Sequence, residues 1–282
     1  MGNALTVNNL YKPIYHQSNM KTITIISDCD NTLIPDATSS LLEINGIEPQ
    51  PFWDNIAQTV RQGWDPPIAW MNELISLIKQ GKIIQDTNKK LIEFGAGLET
   101  FPGADTFVTK LNEKFEAEFD VKIKGYVVSS GIEPLMQGTK LSDSFTDIFG
   151  GRFYEKDGTI EGIQSCITFT EKTKFLYAIN KGVESNIRNE PYDVNKFVPK
   201  NERPVQVQNM IYLGDGPSDI PCFSMVEQLG GTGIAVNHND KWTKKWQKEL
   251  RNRNMQSFEP NYTSNSKLFQ HIEKTLKRLT GN

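Results

Sequence analysis

Four short apolar runs punctuate an otherwise mixed chain, and small or polar residues follow each of them. They are Ile23-Thr24-Ile25-Ile26, Gly125-Tyr126-Val127-Val128, Met210-Ile211-Tyr212-Leu213 and Thr232-Gly233-Ile234-Ala235-Val236. Continuous runs of this length, rich in β-branched and aromatic side chains, suit strands buried on both faces. Between them the apolar positions recur at helical spacing. Ala104–Phe119 carries Phe107, Val108, Leu111 and Phe115 on one stripe, a helix begins near Pro134, and Glu171–Ile179 reads as another. Leu268, Ile272, Leu276 and Leu279 mark an amphipathic C-terminal helix. Phe149–Gly162 alternates and turns at Lys156-Asp157-Gly158, which predicts a hairpin.

The stretch from Pro35 to about Phe101 has no strand pattern. Ile68, Met71, Leu74, Ile75 and Ile78 recur at helical spacing, Ile84, Leu91, Ile92 and Phe94 more loosely, with breaks at Gly46, Pro49, Gly63, Pro66-Pro67, Gly81 and Gly95. This predicts a helical cap over 36–101, inserted into an α/β core formed by 21–35 and 102–282, with 1–20 an irregular N-terminal arm. Alternating strands and helices predict a Rossmann-like parallel sheet with helices on both faces and right-handed crossovers. Trp53, Trp64 and Trp70 read as packing residues of the insertion. The polar segment 182–208, with Pro191, Pro199 and Pro204, reads as a long surface loop of no assigned role.

Composition narrows the class. The 282 residues are 37% hydrophobic and 23% charged, ordinary for a soluble globular protein of one large domain with an insertion. A net charge of -3 offers no basic surface for nucleic acid phosphates. The run Lys241-Trp242-Thr243-Lys244-Lys245-Trp246-Gln247-Lys248 reads as a solvated helix with a packed tryptophan stripe. Cys29, Cys166 and Cys222 are few, odd in number and far apart, which argues for a reducing compartment. With no signal-peptide core at the N-terminus and no membrane-length apolar run, the expected location is cytoplasmic.

The chemistry lies at the strand ends. Asp28 and Asp30 follow the first strand, Ser129-Ser130-Gly131 the second, and Asp215 and Asp219 the third. Parallel strands place their C-terminal ends on one edge, where ligands of α/β sheets bind. Crowded carboxylates raise one another's pKa and resist ionising together. A divalent cation removes that conflict, and hard oxygen ligands with room for water suit Mg²⁺.

Asp28-Cys29-Asp30-Asn31-Thr32, Ser129, a helical lysine and Gly214-Asp215-Gly216-Pro217-Ser218-Asp219 stand in an order and spacing that resembles the haloacid dehalogenase-like (HAD) hydrolases. The resemblance spans about 21–237. The insertion after the first motif and the stretch 151–162 look like the phosphoserine-phosphatase-like branch. This resemblance implies a phosphatase with Asp28 as nucleophile, forming an aspartyl-phosphate, and Asp30 as general acid and base. It implies that Ser129, Ser130 and Gly131 hold the phosphoryl group together with Lys172. It further implies Mg²⁺ on the Asp28 carboxylate, the Asp30 carbonyl and Asp215, with Asp219 as ligand or support. Lys172-Thr173-Lys174-Phe175-Leu176 matches the family's lysine at Lys172, with Lys174 the alternative. Positive charge in a helix's first turn opposes the macrodipole, so neither lysine gains local stability there.

Two departures from the branch bear on the substrate. Ser130 replaces the first of two glycines that often follow the motif serine, and the Ile68–Ile78 helix lacks the arginine that would hold phosphoserine's carboxylate. The expected substrate is a small phosphorylated metabolite of unassigned identity. Other chemistries fit poorly. An arginine six positions after a cysteine, as a cysteine phosphatase requires, is replaced by Pro35, Lys172 and Gln228. An EF-hand starting at Asp28 would meet Leu33 and Ser39 where glycine and glutamate belong. No Walker motif occurs, and His16, His238 and His271 match no zinc spacing. A phosphotransferase, or a noncatalytic binding protein of the same fold, remains as an alternative.

Overall fold

In the structure, a computed structural model that describes residues 20–237, 248–250, 252–253 and 255–281, the first apolar run is the central strand β1 (Lys21–Ser27). The arm expected over 1–20 lies outside the described residues except for Met20, as does the 241–248 run except for Lys248. The insertion follows as α1 (Ala37–Ile44), α2 (Pro49–Arg61), α3 (Pro66–Lys79) and α4 (Asn88–Gly95). The chain then runs through α5 (Phe107–Phe119), β2 (Val121–Ile132), α6 (Glu133–Gly138), β3 (Asp147–Lys156), β4 (Thr159–Ser165) and α7 (Glu171–Lys181). It finishes with β5 (Met210–Gly214), α8 (Ile220–Gln228), β6 (Thr232–Val236), β7 (Ser257–Phe258) and α9 (Lys267–Thr280).

The sheet order is β4-β3-β2-β1-β5-β6-β7, parallel throughout except for β4, which pairs antiparallel with β3 as the predicted hairpin. Asp157 and Gly158 make its turn, both at positive φ. This is the doubly wound α/β architecture the alternation predicts. Among the described residues, β3, β4 and β7 join the strands of the four apolar runs.

Because β1 is covered on both faces, its side chains divide between two cores. Ile23 and Ile25 pack with Phe107, Leu111 and Phe115 of α5 and Leu268, Ile272 and Leu276 of α9. Ile26 joins Phe175, Leu176 and Ile179 of α7 and Phe223 and Val226 of α8. Burial at roughly 25 cal/mol per Å² of apolar surface makes these two faces the main source of stability.

One ion-pair group clamps α9 onto α5. Glu273 accepts from Lys114 at 2.8 Å and pairs with Lys277 at 2.9 Å. The hydrogen bond from Lys114 holds the Glu273 carboxyl below its usual range. A depressed folded-state pKa adds stability that is present above the unfolded value and lost as pH falls through the folded one. Glu273→Gln is therefore expected to cost roughly 0.5 kcal/mol near pH 7, small because Lys114 is partly exposed. Denaturant titrations should show the difference vanish at acid pH.

Several elements depart from the expected pattern. β2 does not stop at Ser129 but continues to Ile132, with a register shift against β3 between Val128 and Ile132. Ile84 is exposed and precedes α4, so the looser helical pattern begins at Asn88. α4 lies directly on α6: a Cβ on Gly95 would collide with the Leu135 carbonyl, and one on Gly138 with that of Ile92. The 182–208 segment contains short 3₁₀ turns and buries Ile187, Val205 and Val207 against the α7 face. The insertion also grips the hairpin, since Ile160 donates to the Asp86 carbonyl at 2.7 Å and Lys79 pairs with Glu161 at 2.7 Å.

Candidate active site

The C-terminal edge of β1 is built by a tight turn. Three successive amides, those of Thr32, Leu33 and Ile34, donate to the Cys29 carbonyl, and Asn31 sits at φ 58°, a left-handed position that asparagine tolerates. The turn is fastened from afar by the Tyr262 hydroxyl, which donates to the Thr32 carbonyl at 2.8 Å. Cys29 is fully buried in it, and burial with the nearby Asp30 and Asp28 charges pushes its thiol well above the usual value. That environment suits packing, not nucleophilic sulfur.

Asp28 is 5% exposed and its carboxylate is held at both oxygens. Oδ1 accepts from the Cys29 amide at 2.7 Å, and Oδ2 pairs with Lys172 Nζ at 2.8 Å. Lys172 has no exposure at all and makes a second pair with Asp219 Oδ1 at 2.7 Å. Burial alone would lower its pKa, but the two carboxylates outweigh it and raise the ammonium above its usual value. Lys174 turns elsewhere, to Glu171 and over the Phe175 ring. The structure thus brings Lys172 into the cluster and leaves Lys174 out.

Asp219 is fully buried and has both oxygens occupied: Oδ1 also accepts from the Tyr212 hydroxyl at 2.7 Å, and Oδ2 from the Gly216 amide at 3.0 Å. Tyr212 is a site residue the sequence pattern missed, because its ring reads as one more apolar position of β5. Asp215 has a different environment. Burial and the charges of Asp28 and Asp219 push its carboxyl well above its usual value. Carboxylate oxygens of Asp28, Asp215 and Asp219 lie within 4.8 Å of one another, so these three could hold a metal ion. The donor set fits a hard divalent cation, which would relieve the repulsion that loads Asp215.

Asp30 stands beside this group. Oδ1 accepts from the Ala37 amide at 2.9 Å, which ties it to the start of α1. Burial, with the Asp36 and Asp28 charges, pushes its carboxyl up to about 8. It lies tight against the second strand end: a Cβ on Gly131 would be 2.5 Å from Asp30 Oδ2 and 3.3 Å from Ser129 Oγ. A larger residue there would have to displace the Asp30 carboxylate. Ser129 is buried and accepts from the Gly131 amide at 3.0 Å, while the Ser130 hydroxyl is buried without a hydrogen-bond partner. All eight residues picked out from the sequence, Asp28, Asp30, Ser129, Ser130, Gly131, Lys172, Asp215 and Asp219, thus lie on three strand ends at one edge or on α7 beside it.

The fold of this chain is similar to that of solved structures described as a HAD-family hydrolase and as phosphoserine phosphatase. Among solved structures, a HAD-family hydrolase from Salmonella enterica serovar Typhi superposes with a TM-score of 0.54 at 16% identity, over 86% of this chain and 69% of that one. A phospho-aspartyl intermediate analogue of phosphoserine phosphatase superposes with a TM-score of 0.50 at 16% identity, over 90% and 99% of the two chains. In sequence, an uncharacterized protein of Borreliella burgdorferi is 27% identical over 280 residues, 89% of this chain and 95% of that one. No protein-family profile matches the chain.

Proposed function

We propose that the protein is a Mg²⁺-dependent phosphomonoesterase that acts on a small phosphorylated metabolite through an aspartyl-phosphate. The observation that carries this reading is the difference between two carboxylates two residues apart. Asp28 is held by the Cys29 amide and the Lys172 ammonium. Asp30 makes no ion pair among the described residues, and its carboxyl is pushed up to about 8. Paired groups with unlike environments are the signature of a nucleophile beside an acid and base.

In this reading Asp28 attacks phosphorus, the bond to the leaving oxygen breaks, and Asp30 gives that oxygen its proton. Water then attacks the aspartyl-phosphate, Asp30 takes the proton back, and inorganic phosphate leaves with Asp28 restored. Ser129, Ser130 and Gly131 donate to phosphoryl oxygens, and Lys172 offsets charge on the phosphoryl group and on Asp28. Mg²⁺ would sit on the Asp28 carboxylate, the Asp30 carbonyl and Asp215, with Asp219 as support because its oxygens are already engaged. Once bound, it would neutralise charge accumulating on the transferring group. The 36–101 insertion, with helices α1–α4, acts in this reading as the cap that selects the substrate. Three cysteines without a disulfide support a cytoplasmic setting. Among the described residues, no helix is long and apolar enough to cross a membrane.

Purified protein is expected to hydrolyse an aryl phosphate with Mg²⁺ and to lose that activity on chelation. Asp30→Asn should slow the second step enough that phosphate stays bound to protein through denaturation, measured as a mass gain. Absence of turnover on a broad panel of phosphometabolites would favour the noncatalytic binding reading, and faster release with an added alcohol would favour phosphotransfer.

A further inference from the structure

The backbone ladder is interrupted beside the proposed phosphate site. β2 and β3 pair as far as Val128 with Phe149, lose register, and pair again only at Ile132 with Gly151. Ser129, Ser130 and Gly131 occupy the gap. A mispositioned loop there would move the Ser129 hydroxyl and the Gly131 amide away from a phosphoryl group, so something besides the ladder must hold it.

A buried ionic group brackets the gap on its far side. Glu133, the first residue of α6, is 5% exposed, and its Oε2 accepts from the Gly150 amide at 3.0 Å. Its Oε1 accepts from Arg188 Nε at 3.0 Å and from Gln137 Nε2 at 3.2 Å. The Arg188 guanidinium also forks onto Asp147 at 2.9 and 2.8 Å, donates to the Ile148 carbonyl at 2.6 Å and stacks over the Phe149 ring at 4.6 Å. One side chain thus ties the start of β3 to Glu133, the residue that follows β2. The packing between them leaves no slack, since a Cβ on Gly150 would lie 2.8 Å from the Gly131 carbonyl and from the Glu133 amide. Gly131 in turn lies against Asp30.

We propose that Arg188 is a positioning residue for the phosphate site, its guanidinium locking Glu133 and Asp147 so that Ser129–Gly131 keeps its place against Asp30. This gives the 182–208 segment a task, to deliver one arginine to the back of the loop. The proposal rests on the phosphatase reading for its effect on phosphate, but not for its effect on the loop. Arginine suits the position because its planar fork serves a carboxylate, a carbonyl and an aromatic face together. Burial raises the Glu133 carboxyl above its usual value, and Arg188 opposes that rise.

The test separates positioning from mere charge balance. Arg188→Met alone takes the partner from buried Glu133 and from the more exposed Asp147, and is expected to destabilise the fold. Adding Glu133→Gln removes the more buried of the two charges but keeps an oxygen for the Gly150 amide, so the double variant should recover most of the lost thermal stability. Its dissociation constant for inorganic phosphate with Mg²⁺, by calorimetry, should remain about tenfold above the wild type. The amides of 129–131 should exchange with solvent about tenfold faster, with those of α9 unchanged. Stability recovered together with wild-type phosphate affinity would overturn the proposal. If wild-type protein binds no phosphate and turns over nothing, the phosphatase reading falls, and amide exchange still decides: unchanged protection at 129–131 in the double variant sinks the positioning role.

Discussion

Asp28→Asn is expected to lower turnover of an aryl phosphate by about 10⁴-fold or more, because in the proposed mechanism it removes the covalent nucleophile and with it the pathway, not merely one contact. The substitution is nearly isosteric. The amide side chain keeps an oxygen for the Cys29 N–H now bound at 2.7 Å, so the turn that ends β1 should survive. It gives up the pair with Lys172, but Lys172 keeps Asp219 at 2.7 Å and is not left alone. Folding should therefore change little while chemistry disappears, and near-native circular dichroism with no measurable rate is the expected pair of results. Turnover above about one-hundredth of wild type would remove Asp28 from the nucleophile role, since acid–base help alone is worth about 10²–10⁴.

The contrast with Asp30 sharpens that result. Asp30 accepts from the Ala37 amide and pairs with no lysine among the described residues, so its proton is held by burial and by like charges at Asp36 and Asp28. A carboxyl pushed up to about 8 carries a proton near neutrality and can deliver it to a leaving oxygen. The two-residue spacing matters because the turn puts the first carboxylate against α7 and the second against Gly131 and the start of α1. Identical side chains then acquire different environments from their neighbours.

The site was legible in the sequence because its residues follow apolar runs that almost any buried strand would show. Asp28 and Asp215 could be placed at strand ends from the pattern alone, and Ser129 within a few residues of one, with parallel pairing bringing them to one edge. What escaped was whatever depended on a partner far along the chain. The extension of β2 to Ile132 leaves no apolar signature at Ser129-Ser130-Gly131, and pairing resumes there only because β3 supplies Gly151. Glu133 and Arg188 are 55 positions apart, and neither falls in a motif. Tyr212 hides a polar tip inside an apolar run, and only the fold shows its hydroxyl on Asp219. Gly95 reads as a helix breaker, yet it and Gly138 are needed for the close approach of α4 and α6. Sequence pattern reports burial well and pairing poorly, since burial is a property of one residue and pairing of two.

Lys172→Met is expected to cost about 3–5 kcal/mol of stability at neutral pH, the cost of removing one partner from a buried ion pair. Among the described residues nothing else pairs with both Asp28 and Asp219, and no solvent reaches the ammonium. Without it, three carboxylates within 4.8 Å face one another, and the already raised Asp215 and Asp219 carboxyls must rise further. Acids whose folded-state pKa exceeds the unfolded value stabilise the protonated fold at low pH and withdraw that support as pH rises. The variant should therefore lose stability steadily from about pH 4 upward, the ordinary aspartate range. The wild type, with its lysine in place, should lose less. Denaturant unfolding at a series of pH values reads this directly, and parallel curves for the two proteins would contradict it. Adding Asp219→Asn to Lys172→Met should restore part of the stability at pH 7, since one of the unpaired charges is then gone. Activity should stay lost in both if, as proposed, the Lys172 pair at 2.8 Å orients Asp28 as well as balancing its charge. A double variant that regained turnover would reduce Lys172 to a structural counter-ion.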